Sequence, residues 1–265
     1  MPDFRKLAID IFKRTGALIP NSHFCYAKKP DGWYHGSDYL NKDCVYTNPD
    51  NVIELCHYMA SSAMRLDAEV VVGPTTGGII LSQFTANSLK KLTLKDVSAV
   101  FAEEVDIKER IYLPAHRLTF PEINFSSNGE VIIKLDKKGR ITVMGIDIKT
   151  GTERILKRGY DKIVAGRRCL VVEDIINSGA TVIKTITEIR RAGGIAVGVV
   201  CLCNRSGGKV TAKTLGVPCL ISLIDLDLPM YPEAACPICK KLGIESIRQD
   251  LGKGTEFLLR MKANR

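Results

Sequence analysis

Twelve consecutive residues, Leu170-Val171-Val172-Glu173-Asp174-Ile175-Ile176-Asn177-Ser178-Gly179-Ala180-Thr181, constrain this chain more than any other segment. The run from Cys169 to Val172 has the length and branching of a central strand covered on both faces. It stops at two adjacent acids that a strand interior would not tolerate, so the acids sit at a strand end. Beyond them Asn177, Ser178, Gly179 and Thr181 lead into apolar positions at Val182, Ile183, Ile186 and Ile189, spaced for one face of a helix that Gly193-Gly194 can end. A helix N-terminus behind small residues offers free backbone N–H groups and partial positive charge, which suits a phosphate, with the Ser178 and Thr181 hydroxyls as further donors. Glu173 and Asp174 cannot take a phosphate. They can accept from sugar hydroxyls or hold a divalent cation through water. Together these pieces predict a site for a ribose 5′-phosphate. An ordinary strand-to-helix turn would explain Gly179 and the helix but not the paired acids.

The rest of the chain alternates in the same way. Phe4, Leu7, Ala8, Ile11 and Phe12 predict an N-terminal helix ended near Thr15-Gly16, and Asn51 with Glu54 has capping-box spacing for a second helix reaching about Arg65. Glu69 to Gly73 reads as a strand, Gly77 to Leu89 as a helix and Val97 to Ala102 as a strand. Past the acid-ended strand and its helix, Ile195 to Cys203 and Cys219 to Ile224 are again strand-like. Strands alternating with helices predict an α/β fold built on a parallel sheet, whose ligands gather at the carboxyl ends of the strands. Val131 to Met144 alternates on both sides of a charged turn at Gly139 and predicts a β-hairpin.

Composition narrows the class. At 265 residues with 45% hydrophobic content the chain can bury a full core. Its 38 basic and 29 acidic residues give a net charge of +9, a field that attracts anions in general. The basic residues are scattered rather than interleaved with aromatics, which disfavours nucleic acid as the partner. No stretch approaches a membrane span, and Met1 to Arg14 lacks a long apolar core, so a protein neither inserted nor secreted is expected. Nine cysteines, several in strand-like runs, read as buried hydrophobes of a reducing, cytoplasmic compartment.

A second strand-end loop, Val70-Val71-Val72-Gly73-Pro74-Thr75-Thr76-Gly77-Gly78, forms another anion cradle before a helix. With the first loop it resembles the type I phosphoribosyltransferases, in which two acids contact the ribose hydroxyls of phosphoribosyl pyrophosphate (PRPP), a small polar turn holds its 5′-phosphate and a Gly-rich loop holds its pyrophosphate. That family usually has Thr-Thr-Gly or Thr-Ala-Gly where this chain has Asn177-Ser178-Gly179, and Asn can still donate through its amide. The resemblance implies that Glu173 and Asp174 act on the ribose, that Asn177, Ser178, Gly179, Ala180 and Thr181 bind the 5′-phosphate, and that Thr75, Thr76, Gly77 and Gly78 bind pyrophosphate. It also implies Mg²⁺ held through PRPP and waters, with Glu173 and Asp174 as candidate ligands.

Three further segments resemble orotate phosphoribosyltransferases. The turn Asn204-Arg205-Ser206-Gly207-Gly208 carries one Arg in what reads as a flexible loop, able to pair with a planar carboxylate or carbonyl, and in that family such an Arg reads the pyrimidine. Gly16-Ala17-Leu18-Ile19 with His23-Phe24, then Ser37 to Lys42, resembles the substrate hood and implies Tyr39, Asn41 and Lys42 at the base. The stretch Leu226 to Cys239 resembles the C-terminal part of one branch. Within it Cys236-x-x-Cys239 has zinc-ligand spacing, but one pair supplies only two of four ligands and no second pair follows, so its metal binding stays open. In this family a Lys or Arg on a mobile loop closes over pyrophosphate. Lys157 and Arg158 are the first candidates for that part, followed by Lys108 and Arg110.

The resemblance therefore implies a parallel-sheet type I phosphoribosyltransferase fold with an N-terminal/C-terminal hood and a β-hairpin-containing insertion. The whole chain, 1–265, would be one domain with a hood at 1–50, an insertion at 106–151 and a C-terminal extension at 225–265. The implied reaction joins orotate to PRPP in a homodimeric enzyme. A phosphoribosyltransferase for another base, or a noncatalytic PRPP-sensing regulator, would share both phosphate loops.

Overall fold

In a computed structural model the described residues are 3–29, 31–114, 130–135, 137 and 141–263, with backbone alone described at 29, 109–114, 130–135, 141–150 and 261–263. In chain order they form α1 (Phe4–Arg14), β1 (Leu18–Ile19), β2 (Phe24–Lys29), β3 (Gly32–Gly36), β4 (Tyr39–Leu40), α2 (Asp43–Tyr46), α3 (Pro49–Ala63), β5 (Val70–Pro74), α4 (Gly77–Thr93) and β6 (Ser98–Pro114). There follow β7 (Glu130–Leu135), β8 (Ile141–Ile155), α5 (Tyr160–Val164), β9 (Arg168–Ile176), α6 (Ala180–Arg191), β10 (Ile195–Asn204), α7 (Ala212–Leu215), β11 (Leu220–Asp225), β12 (Tyr231–Pro232), α8 (Pro237–Leu242) and α9 (Gly254–Ala263).

The central sheet runs β11-β10-β9-β5-β6-β8-β7. It is parallel from β11 to β6, and β8 and β7 add to it antiparallel. Alternation along the central strands divides the core in two. Val71, Leu170 and Val172 face α1, α3 and α4, packing with Ile11, Leu55, Met59 and Leu81. Val70, Val72 and Val171 face the other way, onto Val164, Val182, Ile186 and Leu215 of α5, α6 and α7. All these side chains are buried, and each contributes roughly 1.5–3 kcal/mol of apolar burial. The expected doubly covered parallel sheet is therefore present. Because β5 lies between β9 and β6, the chain reverses its direction of travel across the sheet there. That reversal opens a crevice where the two phosphate-suited loops meet.

Two expectations are corrected. The second helix is capped by Asn48, whose side chain accepts from the Asp50 N–H at 2.9 Å, with Pro49 in the first turn. Asn51 lies inside the helix and its Oδ1 accepts from Arg14 at 2.8 Å, so the Asn51/Glu54 spacing was a tertiary pairing rather than a cap. The strand expected to stop at Ala102 continues to Pro114 and pairs with β8 from Glu103↔Ile155 to Pro114↔Val143. The expected hairpin exists as β7 and β8, with Leu135 opposite Ile141. The described residues within 106–151 thus extend the sheet edge.

The hood unites both ends of the chain. β12 pairs with β3, which pairs with β2, and α9 seats Phe257 edge-on against Trp33 and His35, at 5.4 and 4.8 Å between ring centroids.

Candidate active site

β9 does not stop at the acids as expected but runs two residues past them to Ile176, so Glu173 and Asp174 lie near its carboxyl end, both buried. The Asp174 N–H donates to Glu173 Oε1 at 3.0 Å and the Ile175 N–H to Asp174 Oδ1 at 2.6 Å. Burial, and after it the charge of Asp174, raise the Glu173 carboxyl well above the usual carboxylate range. The hood supplies a counter-charge, because Lys42 Nζ donates to Asp174 Oδ2. Burial opposes the Lys42 charge, but the hydrogen bond and charge of Asp174 outweigh it, and the ammonium titrates above its ordinary value. Gly77 packs against the same carboxylate so closely that a β-carbon there would overlap Asp174 Oδ2.

Gly77 belongs to the loop after β5. A β-carbon on Gly73 would overlap the Gly78 carbonyl, so the loop folds tightly back on its own strand. The Thr75–Thr76 peptide is cis. Thr75 is held on every side. Its N–H donates to the Ala102 carbonyl at 3.0 Å, its Oγ1 accepts from the Glu104 N–H at 3.3 Å, and Arg154 Nη1 donates to its Oγ1 at 2.8 Å and its carbonyl at 3.1 Å.

The other phosphate-suited loop, Asn177 to Thr181, joins β9 to α6 through Gly179 in the left-handed region at φ 77°. It encloses a cleft of about 110 Å³ lined by Glu173 and residues 175–182. The first amides of α6 have no carbonyl partner within the helix, so the cleft presents donors suited to an oxyanion. A larger cleft of about 430 Å³ adjoins it, sharing Asn177 and Ser178 and adding Tyr26, Ala27, Arg205, Ser206, Lys209, Leu228 and Met230. Arg205 stands between the two, its Nε donating to Asn177 Oδ1 and its N–H to the Ile176 carbonyl, each at 2.7 Å.

The phosphoribosyl transferase domain family matches residues 46–220. The chain belongs to this family. Among curated relatives, an orotate phosphoribosyltransferase of Chlorobium phaeobacteroides is 25% identical over 88% of this chain and 89% of its own length. One from Thermotoga maritima is 29% identical over 88% and 91%. A solved orotate phosphoribosyltransferase of Mycobacterium tuberculosis H37Rv overlaps 85% of this chain and 97% of that one at 15% identity and TM-score 0.49. That overlap is too loose to carry the assignment, which stands on the domain match.

In this phosphoribosyltransferase the sequence-expected residues fall into two groups. Glu173, Asp174 and both phosphate-suited loops converge on one crevice. The hood residues do not converge with Arg205. Lys42 reaches Asp174, the Asn41 N–H donates to the Ala17 carbonyl at 2.8 Å, and Tyr39 packs on Phe24 and Tyr26 at 5.1 and 6.3 Å between centroids. Tyr26 lines the larger cleft in their place. The Arg205 turn is pinned rather than flexible. Buried Asn204 receives the Ser206 N–H at 3.1 Å and donates to the Val210 carbonyl at 3.2 Å, and the Val210 N–H reaches Ser206 Oγ at 2.9 Å.

The expected closing cations are engaged elsewhere. Lys157 Nζ lies 3.2 Å from Glu103 Oε2, and Arg158 pairs with the same carboxylate while stacking 5.4 Å above Phe101. Lys108 lies on β6 at the irregularity that follows Ile107, and the Arg110 side chain lies outside the described residues. Among the described residues the cation bonded to the pyrophosphate-type loop is Arg154, which sequence reasoning missed. Its signal was an Arg in the strand segment Thr152-Glu153-Arg154-Ile155, in register with Glu104, to which Nη2 donates at 3.0 Å.

Proposed function

We propose that this phosphoribosyltransferase transfers the 5-phosphoribosyl group of PRPP to orotate, giving orotidine 5′-monophosphate and pyrophosphate in pyrimidine nucleotide biosynthesis. The observation that carries the reading is Arg205, a guanidinium that lines a mostly apolar cleft of base size and is bonded to Asn177 of the oxyanion-suited loop. The names borne by the relatives support the same acceptor.

The 5′-phosphate would sit on the amides of Asn177 to Thr181 and the pyrophosphate on Thr75 to Gly78. Glu173 and Asp174 would accept from the ribose hydroxyls. A ring N–H of orotate gives its proton to solvent or to the departing pyrophosphate as that nitrogen bonds to the anomeric carbon and the bond to pyrophosphate breaks, and positive charge develops on the ribose. The Asp174 carboxylate favours that charge while Glu173 holds the ribose by hydrogen bonding, so catalysis is positioning and electrostatics without a side-chain nucleophile. Lys157 and Arg158 would leave Glu103 to meet the departing pyrophosphate. Arg205 would fix the carboxylate or carbonyl plane of the base.

The donors at the end of β9 are carboxylate oxygens, hard ligands that suit Mg²⁺. Asp174 already accepts from Lys42 and from the Ile175 N–H, so the pair fits Mg²⁺ through waters and substrate oxygens. When bound, Mg²⁺ supplies charge that neutralises pyrophosphate.

The reading covers residues 1–265 as one domain, with the hood over the base and the edge ribbon near 106–151 beside the pyrophosphate loop, in a cytoplasmic homodimer. The test mixes protein, Mg²⁺ and PRPP with orotate, uracil, hypoxanthine or adenine in turn and follows pyrophosphate. Release with orotate is expected. Release only with another base would overturn the acceptor, and PRPP binding without release on any base would favour a regulator.

A further inference from the structure

His23, His35, Cys236 and Cys239 come together in the hood, remote in sequence from one another and outside the crevice described above. One ligand-type atom from each lies within 4.8 Å of all the others. The first three are at most 1% exposed, and Cys239 is partly buried. The separations are those of a metal site. His35 Nδ1 is 3.2 Å from Cys239 Sγ, and His23 Nε2 is 3.5 Å from Cys239 Sγ and 3.7 Å from Cys236 Sγ. A tetrahedron with Zn–S of about 2.3 Å and Zn–N of about 2.0–2.1 Å has N–S edges of roughly 3.5 Å.

The surroundings orient the donors. Ser246 Oγ donates to the Gly243 carbonyl at 2.6 Å and lies 2.6 Å from His23 Nδ1, so it accepts from an Nδ1–H and leaves the Nε2 lone pair facing both sulfurs. This is the outer partner that a metal-bound His requires. The Cys239 N–H donates to Cys236 Sγ at 3.4 Å, which suits a thiolate.

We infer that His23, His35, Cys236 and Cys239 bind one zinc ion in a closed, structural Cys₂His₂ site. Four protein ligands leave no open position, so the ion is a staple and not a catalyst. It ties the β2–β3 hairpin, with His23 just before β2 and His35 on β3, to the start of α8, with Cys236 as its N-cap and Cys239 in its first turn, beside the β12–β3 pairing. Tyr26 of β2 lines the larger cleft together with Leu228 and Met230, which lead into β12, so the staple holds the two strands that carry that wall. The missing second pair of ligands is thus a pair of histidines more than 200 residues upstream, held opposite the cysteines by the hood. The inference is independent of the acceptor base.

Protein purified under reducing conditions without chelator is expected to hold about one zinc per chain by elemental analysis, and Cys239→Ser to hold far less. Cobalt(II) added to reduced, zinc-free wild-type protein should give the visible absorption of a tetrahedral thiolate site, a measurement that needs no variant to fold. Removal of zinc should speed hydrogen exchange in residues 23–36 and 228–242 while β5 and β9 stay protected. Absence of both zinc and the cobalt spectrum, or a mass showing Cys236 and Cys239 joined as a disulfide in the fresh reduced protein, would overturn the inference.

Discussion

Arg154, only 7% exposed, donates to both the hydroxyl and the carbonyl of Thr75, at 2.8 and 3.1 Å, and so anchors the loop after β5 to the edge ribbon. It reaches this place because Arg154 stands opposite Glu104 where β8 rejoins the sheet. Removing the guanidinium leaves Thr75 partly unpaired in a half-buried setting and frees the loop. Arg154→Ala is expected to raise the KM for PRPP at least tenfold and to cost about 2–3 kcal/mol of stability in urea unfolding. Arg154→Lys keeps charge without the fork and should recover less than half of either loss. Unchanged KM in both variants would separate Arg154 from ligand binding.

The Lys42 ammonium occupies the carboxylate that a divalent cation would otherwise approach. Freed from Lys42, the buried Asp174 carboxylate loses its counter-charge. Lys42→Met should therefore bind Mn²⁺ about tenfold more tightly in the absence of PRPP, following the Coulomb cost that the ammonium now imposes. Titration of Mn²⁺ by calorimetry reads this directly. An unchanged affinity, paired with a raised KM for the base, would return Lys42 to the role of a base contact.

Glu173 makes stability depend on pH in an unusual direction for an acid. Burial and the neighbouring Asp174 raise its carboxyl, so the folded protein keeps a proton that the unfolded chain has already lost. This contribution is fully present below the ordinary Glu value and is lost as pH rises through the raised one, with a slope of at most about 1.4 kcal/mol per pH unit. Glu173→Gln keeps the shape and abolishes the titration. The variant should be more stable than the parent at pH 8, with the advantage gone by pH 4, in urea unfolding across that range. A constant offset would show that the Glu173 carboxyl titrates alike in the folded and the unfolded chain.

Much of this site could be read from local sequence because its central pieces are local. Strand, acids, polar loop and helix follow one another between Cys169 and Ile189, and periodicity reports each of them. The hairpin about Gly139 is local in the same sense. What escaped is tertiary. Lys42 meets Asp174 across 132 positions, Arg154 meets Thr75 across 79, and His23 meets Cys236 across 213. No periodicity within a window carries such pairings. Asn51 shows the converse error, since its spacing to Glu54 imitates a cap although both side chains serve Arg14. The run of β6 past Ala102 was hidden because its charged positions Glu103, Glu104 and Asp106 lie on an edge that solvent reaches, where alternation need not be apolar.

Arg205 and Asn177 form a bond between the turn that faces the larger cleft and the loop suited to the 5′-phosphate. A residue that only read the base would leave PRPP binding alone when removed. Because Nε is committed to Asn177, truncation to Ala also releases the phosphate-type loop, so Arg205→Ala should lower kcat/KM for orotate by two orders of magnitude or more and also raise the KM for PRPP several-fold. Asn177→Ala should raise the KM for PRPP by a similar factor. The double variant should show about the same PRPP effect as either single one, several-fold short of their product, a coupling of about 1 kcal/mol, as residues in direct contact do. Arg205→Lys should not restore the bond, since one ammonium cannot hold Asn177 and a planar ligand in the same fork. Strictly multiplicative PRPP effects would mean that the two sites act separately, and Arg205 would then report on the acceptor alone.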